Sequence, residues 1–129
     1  MKIEGTFEVT MTAEPPYDDV DGVTLARVAF DKRFRGPLDA TSKVNMIGAR
    51  TPVQGSAGYV AIERVRGTLD GKEGTFVLQH SGLMNRGAPS LTVTVVPDSG
   101  TGALKGLSGT MEIRIVDGKH FYTFDYELA

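Results

Sequence analysis

The stretch AIERVRGTLDGKEGTFVLQHSG, residues 61–82, decides the fold. Asp70-Gly71 at its centre is a preferred pair for a two-residue hairpin loop, whose left-handed backbone matches the twist of the strands on either side. A loop at that point sets Val65 opposite Phe76, Glu63 opposite Leu78 and Ala61 opposite His80, with Arg64, Arg66, Thr75 and Gln79 on the other face. Side chains alternate across a strand, so the first set shares one face and apolar meets apolar along it. That buried face also carries a carboxylate and an imidazole. Glu63 and His80 become diagonal neighbours, roughly 7 to 8 Å apart at the backbone, a gap that two long side chains bridge.

The same logic applies to MEIRIVDGKHFYTFDYEL, residues 111–128. A loop at Asp117-Gly118 pairs Ile115 with His120, Ile113 with Tyr122 and Met111 with Phe124, and turns Glu112, Arg114, Thr123 and Asp125 the other way. At the start of the chain Ile3, Phe7, Val9 and Met11 alternate with Glu4, Thr6, Glu8, Thr10 and Thr12 until Pro15-Pro16, which cannot donate to a ladder, ends the strand. Further strands are expected at 23–35, 38–50, 57–69, 74–83, 90–97, 102–116 and 119–128. The acidic segment 13–22 and the connection 84–89 are expected to be mobile rims.

Composition agrees. Sixteen glycines are spread through 129 residues, and no segment carries a helical apolar repeat. The length suits a single domain, 1–129. The longest apolar runs fall far short of the ~20 residues that span a bilayer, and the first residues enter strand pattern without the regions of a signal peptide, so a soluble, cytoplasmic protein is expected. Cysteine is absent, which removes disulfides and thiolate chemistry. Fourteen basic against 16 acidic residues leave no footprint for nucleic acid. Eight strands joined by hairpin links avoid open edges most simply by closing, so the expected fold is all-β, a closed eight-stranded antiparallel meander barrel. Such a barrel has room inside for side chains or one small ligand.

Several segments carry a family resemblance: Gln79-His80-Ser81-Gly82, Met84-Asn85-Arg86-Gly87, Val96 to Gly102 with Leu104, Gly106, Leu107 and Gly109, and residues 117–126. Together they resemble a bacterial family of small uncharacterised proteins with an allene oxide cyclase-like, calycin-like β-barrel. The resemblance covers essentially the whole chain and implies the same eight-stranded barrel. It implies no activity, and no catalytic residue of the plant cyclases maps onto a position here. The SGTG and GLSG spacing is similar to the glycine-rich hairpin of allene oxide cyclases and dirigent-like proteins, where glycine serves bends and close strand approach.

Candidate chemistry centres on Glu63 and His80 as a catalytic acid/base pair, since a carboxylate against an imidazole fixes its tautomer and raises its basicity. The competing role is a buried polar pair that satisfies itself. His120, Tyr122 and Tyr126 are expected to offer ligand-binding groups on an aromatic wall, or simply to fill core. Asn85 and Arg86 stand at a loop where they would grip an anionic end of a ligand, or lie solvated. Two isolated histidines and one glutamate make a poor metal set, so no metal and no cofactor is expected. Asp98 to Gly102 lacks the helix and lysine of a phosphate loop and reads as a turn. Two functions follow. One is a lumen that binds a small apolar or amphipathic molecule, with cofactor-free isomerisation or cyclisation as its chemistry. The other is a non-catalytic structural or interaction protein with a filled barrel, acting as a homo-oligomer through outward apolar residues Val60, Ile62 and Val77. The volume of the lumen separates them.

Overall fold

The computed structural model describes all 129 residues. It has nine strands: β1 (Lys2–Ala13), β2 (Asp18–Val20), β3 (Val23–Arg35), β4 (Leu38–Arg50), β5 (Ala57–Leu69), β6 (Lys72–Asn85), β7 (Ala88–Val95), β8 (Leu107–Val116) and β9 (Lys119–Leu128). One turn of 3-10 helix, Gly102–Leu104, is the sole helical element. The strands form one antiparallel sheet in the order β1-β9-β8-β7-β6-β5-β4-β3-β2, and β1 pairs back onto β3. That last pairing, from Thr6 opposite Arg35 to Ala13 opposite Val28, closes an eight-stranded barrel. The extra strand β2 takes over the same edge of β3 where β1 stops, pairing Asp18 with Leu25 and Val20 with Val23.

Four hairpins share one loop geometry. Asp21-Gly22, Asp70-Gly71, Arg86-Gly87 and Asp117-Gly118 each place two successive residues at positive φ, 48° to 52° and then 77° to 92°. Both central residues of a type I′ turn need this conformation, which Asp and Gly adopt at low cost. Both sequence-derived registers hold, with Glu63 opposite Leu78 and Ile113 opposite Tyr122. Both segments expected as mobile rims contain a tight turn: 13–22 ends in the β2–β3 turn at Asp21-Gly22, and the 84–89 connection turns at Arg86-Gly87 with Asn85 opposite Ala88. The expected strand at 102–116 starts later, at Leu107. Val77 is half-buried rather than free on the outer face, and its backbone is bonded to Ser99 Oγ (3.0 Å) and to the Val96 amide (2.8 Å).

The two halves of the barrel differ. At one end Phe34, Leu38, Leu69, Phe76, Leu78, Leu104, Phe124 and Tyr122 are all at most 1% exposed and fill the interior. The segment 96–106 crosses this end and plugs it. Thr101 bonds Thr75 through backbone and side chain, and Leu104 points into the core. Tyr122 pins the β3–β4 turn: its hydroxyl accepts the Leu38 amide (3.1 Å) and donates to the Arg35 carbonyl (3.2 Å). The Tyr126 hydroxyl donates to Asp70, and burial followed by that carboxylate pushes its pKa up to about 12.

Gly5 makes the closed end possible. A Cβ there would overlap the Arg35 carbonyl and the Tyr122 ring. Gly5→Ala is therefore expected to cost roughly 1–3 kcal/mol through overpacking, measured by chemical denaturation; an unchanged midpoint would show that Tyr122 is not wedged against this strand.

Candidate functional site

Four consecutive strands each send one polar side chain to the same height inside the barrel: Lys32 from β3, Ser42 from β4, Glu63 from β5 and His80 from β6. Each occupies an inward position of its own alternation, Lys32 between Phe30 and Phe34, Ser42 between Ala40 and Val44. Glu63 is the centre. It has no solvent exposure, and three donors converge on its carboxylate. Its Oε1 accepts from Lys32 Nζ (3.2 Å) and lies 2.7 Å from His80 Nε2; its Oε2 accepts from Ser42 Oγ (2.5 Å). The Lys32 ammonium also stands over the ring of Phe7, 4.8 Å from its centre.

This arrangement favours an ionised Glu63. Burial by itself would raise the Glu63 pKa, but the His80 hydrogen bond, the Lys32 charge and the Ser42 hydroxyl outweigh it and hold the carboxyl below its ordinary value. A carboxylate that already accepts three hydrogen bonds is not the proton acceptor of the site. It orients His80. An ionised Glu63 accepts a hydrogen bond from Nε2–H, so in the neutral imidazole Nδ1 carries the ring's lone pair.

Above this layer the barrel is open. A cavity of about 420 Å³ runs from Lys32 and His80 at its floor to the mouth, walled by Phe7, Phe30, Val44, Met46, Tyr59, Leu91 and Ile113. Ten of its 13 lining residues are hydrophobic, which sets the polarity of any guest. Gly82 lets Tyr59 form part of the wall: its missing side chain leaves room for the Tyr59 ring on the neighbouring strand. Burial raises the Tyr59 pKa. Next to β6, β7 and its neighbour β8 share a single bridge, Thr94 to Thr110, so the wall is weakest where Leu91 and Ile113 face the cavity.

Of the residues singled out in the sequence, Glu63 and His80 come together and His120 joins the cavity wall, packed on Phe7 with ring centres 5.1 Å apart. Tyr122 and Tyr126 do not reach the cavity; their hydroxyls are spent on the closed end. Asn85 and Arg86 lie in the β6–β7 turn, which is tied to the β4–β5 loop through the Arg86 amide on Ser56 Oγ (3.1 Å) and the Gly87 amide on the Gly55 carbonyl (2.9 Å). Neither lines the cavity. Lys32 and Ser42 are the residues that sequence reasoning missed. The signal was present, a polar residue at an inward position of an otherwise apolar alternation. No group of three His, Cys, Asp or Glu side chains is placed to hold a metal ion. No helix is long and apolar enough to cross a membrane.

A family model described as a protein of unknown function, DUF3224, matches residues 3–126. The chain belongs to the DUF3224 family. A crystal structure at 1.84 Å resolution of a DUF3224 protein of unknown function from Shewanella oneidensis MR-1 is 50% identical. The match covers 100% of this chain and 98% of that one, with a TM-score of 0.95. No curated protein matches. The DUF3224 barrel is thus shared with a solved relative, and its chemistry has to be argued from the site.

Glu63→Gln tests the electrostatics. A group whose folded pKa lies below its ordinary 4.5 contributes stability above that pH and loses it as pH falls through the folded value. The wild type should therefore lose stability in acid over a window that the variant lacks. At neutral pH the variant should be less stable by roughly 3–5 kcal/mol, because Lys32 is left buried without its counter-charge. Parallel stability-against-pH curves for the two proteins would contradict this.

Proposed function

We propose that the open half of the barrel binds a small, largely apolar molecule, and that the polar floor equips it for cofactor-free proton transfer such as isomerisation or cyclisation. The supporting observation is the cavity: about 420 Å³ of mostly hydrophobic space, within the range of small-molecule sites, ending on a few convergent polar groups. In this reading Glu63 is a positioning residue, His80 moves the proton, and His120 and Tyr59 bound the guest near the mouth. The likeness of the sequence motifs to allene oxide cyclase-like, calycin-like barrels favours the same class, as analogy. Neither nucleic acid nor membrane is a partner in this reading, since a formal charge of −2 gives no basic footprint. Its setting is the cytoplasm, where a chain without cysteine has no disulfide to form.

The test is a titration with 1-aminoanthracene, a neutral apolar dye that brightens on leaving water. Saturable enhancement at one site is expected, weakened about tenfold or more by Ala61→Leu, which fills the cavity from β5. No enhancement, or enhancement indifferent to Ala61→Leu, would remove the cavity as a binding site.

A second reading, association between copies of the chain, rests on the outer face of β4 and β5. Ile47 and Val60 are directly opposed across those strands, Ile62 follows on the same face, and the three are 46%, 57% and 51% exposed. Apolar side chains grouped this way favour a self-complementary contact. Light scattering should give a dimer or larger that Ile62→Lys dissociates; a monomeric wild type at micromolar concentration would end this reading.

A further inference from the structure

We propose that the cavity selects neutral apolar molecules bearing one hydrogen-bond donor, a hydroxyl or N–H, which is received by Nδ1 of His80. The inference deepens the binding reading above and rests on it.

It follows from counting donors and acceptors at the floor. Lys32, Ser42 and His80 all converge on Glu63, and a carboxylate that accepts from three sides leaves His80 no role there but donor through Nε2. In the neutral imidazole the ring's other nitrogen then presents a lone pair. No protein group bonds to it, yet no polar side-chain atom shut off from solvent lacks a partner. His80 lines the cavity, so this nitrogen opens onto it. An acceptor with no protein partner takes its donor from water or from a guest, and a guest that displaces the water without supplying a donor would leave it unpaired.

Charge argues against the alternative, an anionic head group. Lys32 is the one cation at the floor, and its ammonium is already shared between Glu63 and the Phe7 ring. With a neutral imidazole the Lys32–Glu63 pair sums to zero. A guest carboxylate would face both the Nδ1 lone pair and the Glu63 charge behind it. A guest hydroxyl meets an acceptor and brings no charge into a site that is otherwise apolar.

The experiment compares 2-naphthol, naphthalene and 2-naphthoate, which share one ring system, each displacing 1-aminoanthracene from the wild-type protein at pH 8. The expected order is naphthol tightest, by roughly five- to tenfold over naphthalene, the worth of one hydrogen bond, with naphthoate weakest. Naphthol should also move the Nδ1 nitrogen resonance of His80 in the direction of an acceptor gaining a hydrogen bond. His80→Phe should bring naphthol and naphthalene to equal affinity. If all three bind alike, the donor-selective floor is overturned and the apolar cavity stands. If naphthoate binds tightest, Lys32 governs recognition and the proposal fails. If the dye is bound and none of the three displaces it, the donor-selective floor is overturned; if the dye itself does not bind, the binding reading fails.

Discussion

A carboxylate with no access to water, halfway up a barrel, is the constraint on which the interior depends. Glu63 would be costly to bury alone, and it is kept ionised because Lys32, Ser42 and His80 reach it from three other strands. The arrangement ties function to register. Slipping any one of β3, β4 or β6 by a residue would turn its donor to the outer face and leave the charge short of a partner. A small polar hub thus selects one alignment of four strands from among those that the apolar pattern alone would tolerate.

The hub also divides the barrel. Below it aromatic and aliphatic side chains are fully buried, the 96–106 segment seals the end, and Tyr122 and Tyr126 spend their hydroxyls on turns and on Asp70. Above it the side chains line a cavity rather than fill it. The floor of that cavity is rigid because the residues forming it are bonded to one another, and the mouth is looser because β7 and β8 scarcely pair. A stiff, polar floor beneath an apolar, less constrained entrance is a serviceable arrangement for holding a small molecule in one orientation.

Much of this was legible in the sequence where one residue type had one physical meaning. Asp70-Gly71 and Asp117-Gly118 determined two registers, and the first of these alone put Glu63 beside His80. Arg86-Gly87 adopts the same turn, but arginine carries no turn signal of its own, so the hairpin there passed for a longer loop. Asp21-Gly22 was obscured by the acidic residues and prolines around it. Tyr122 and Tyr126 were placed correctly on the inward face, as buried members of β9, yet alternation states only which face a residue takes. How far along the barrel it lies depends on strand stagger, which a local pattern does not encode. Lys32 and Ser42 illustrate the same limit: their inward placement followed from period two, whereas their convergence on Glu63 required the alignment of three strand pairs.

Membership of the DUF3224 family and a solved relative at 50% identity anchor the architecture, and the claim that goes beyond it is that the open half of the barrel holds a guest. Native mass spectrometry of the protein purified from its own host, followed by denaturing extraction of whatever it retains, tests that most directly. The account predicts a mass increment of one small molecule per chain that is released on unfolding and proves neutral, largely apolar and furnished with a hydroxyl or N–H group. A retained molecule that is strongly charged and polar, or protein of bare mass at full occupancy of its native fold even when cell extract is added back, would contradict it.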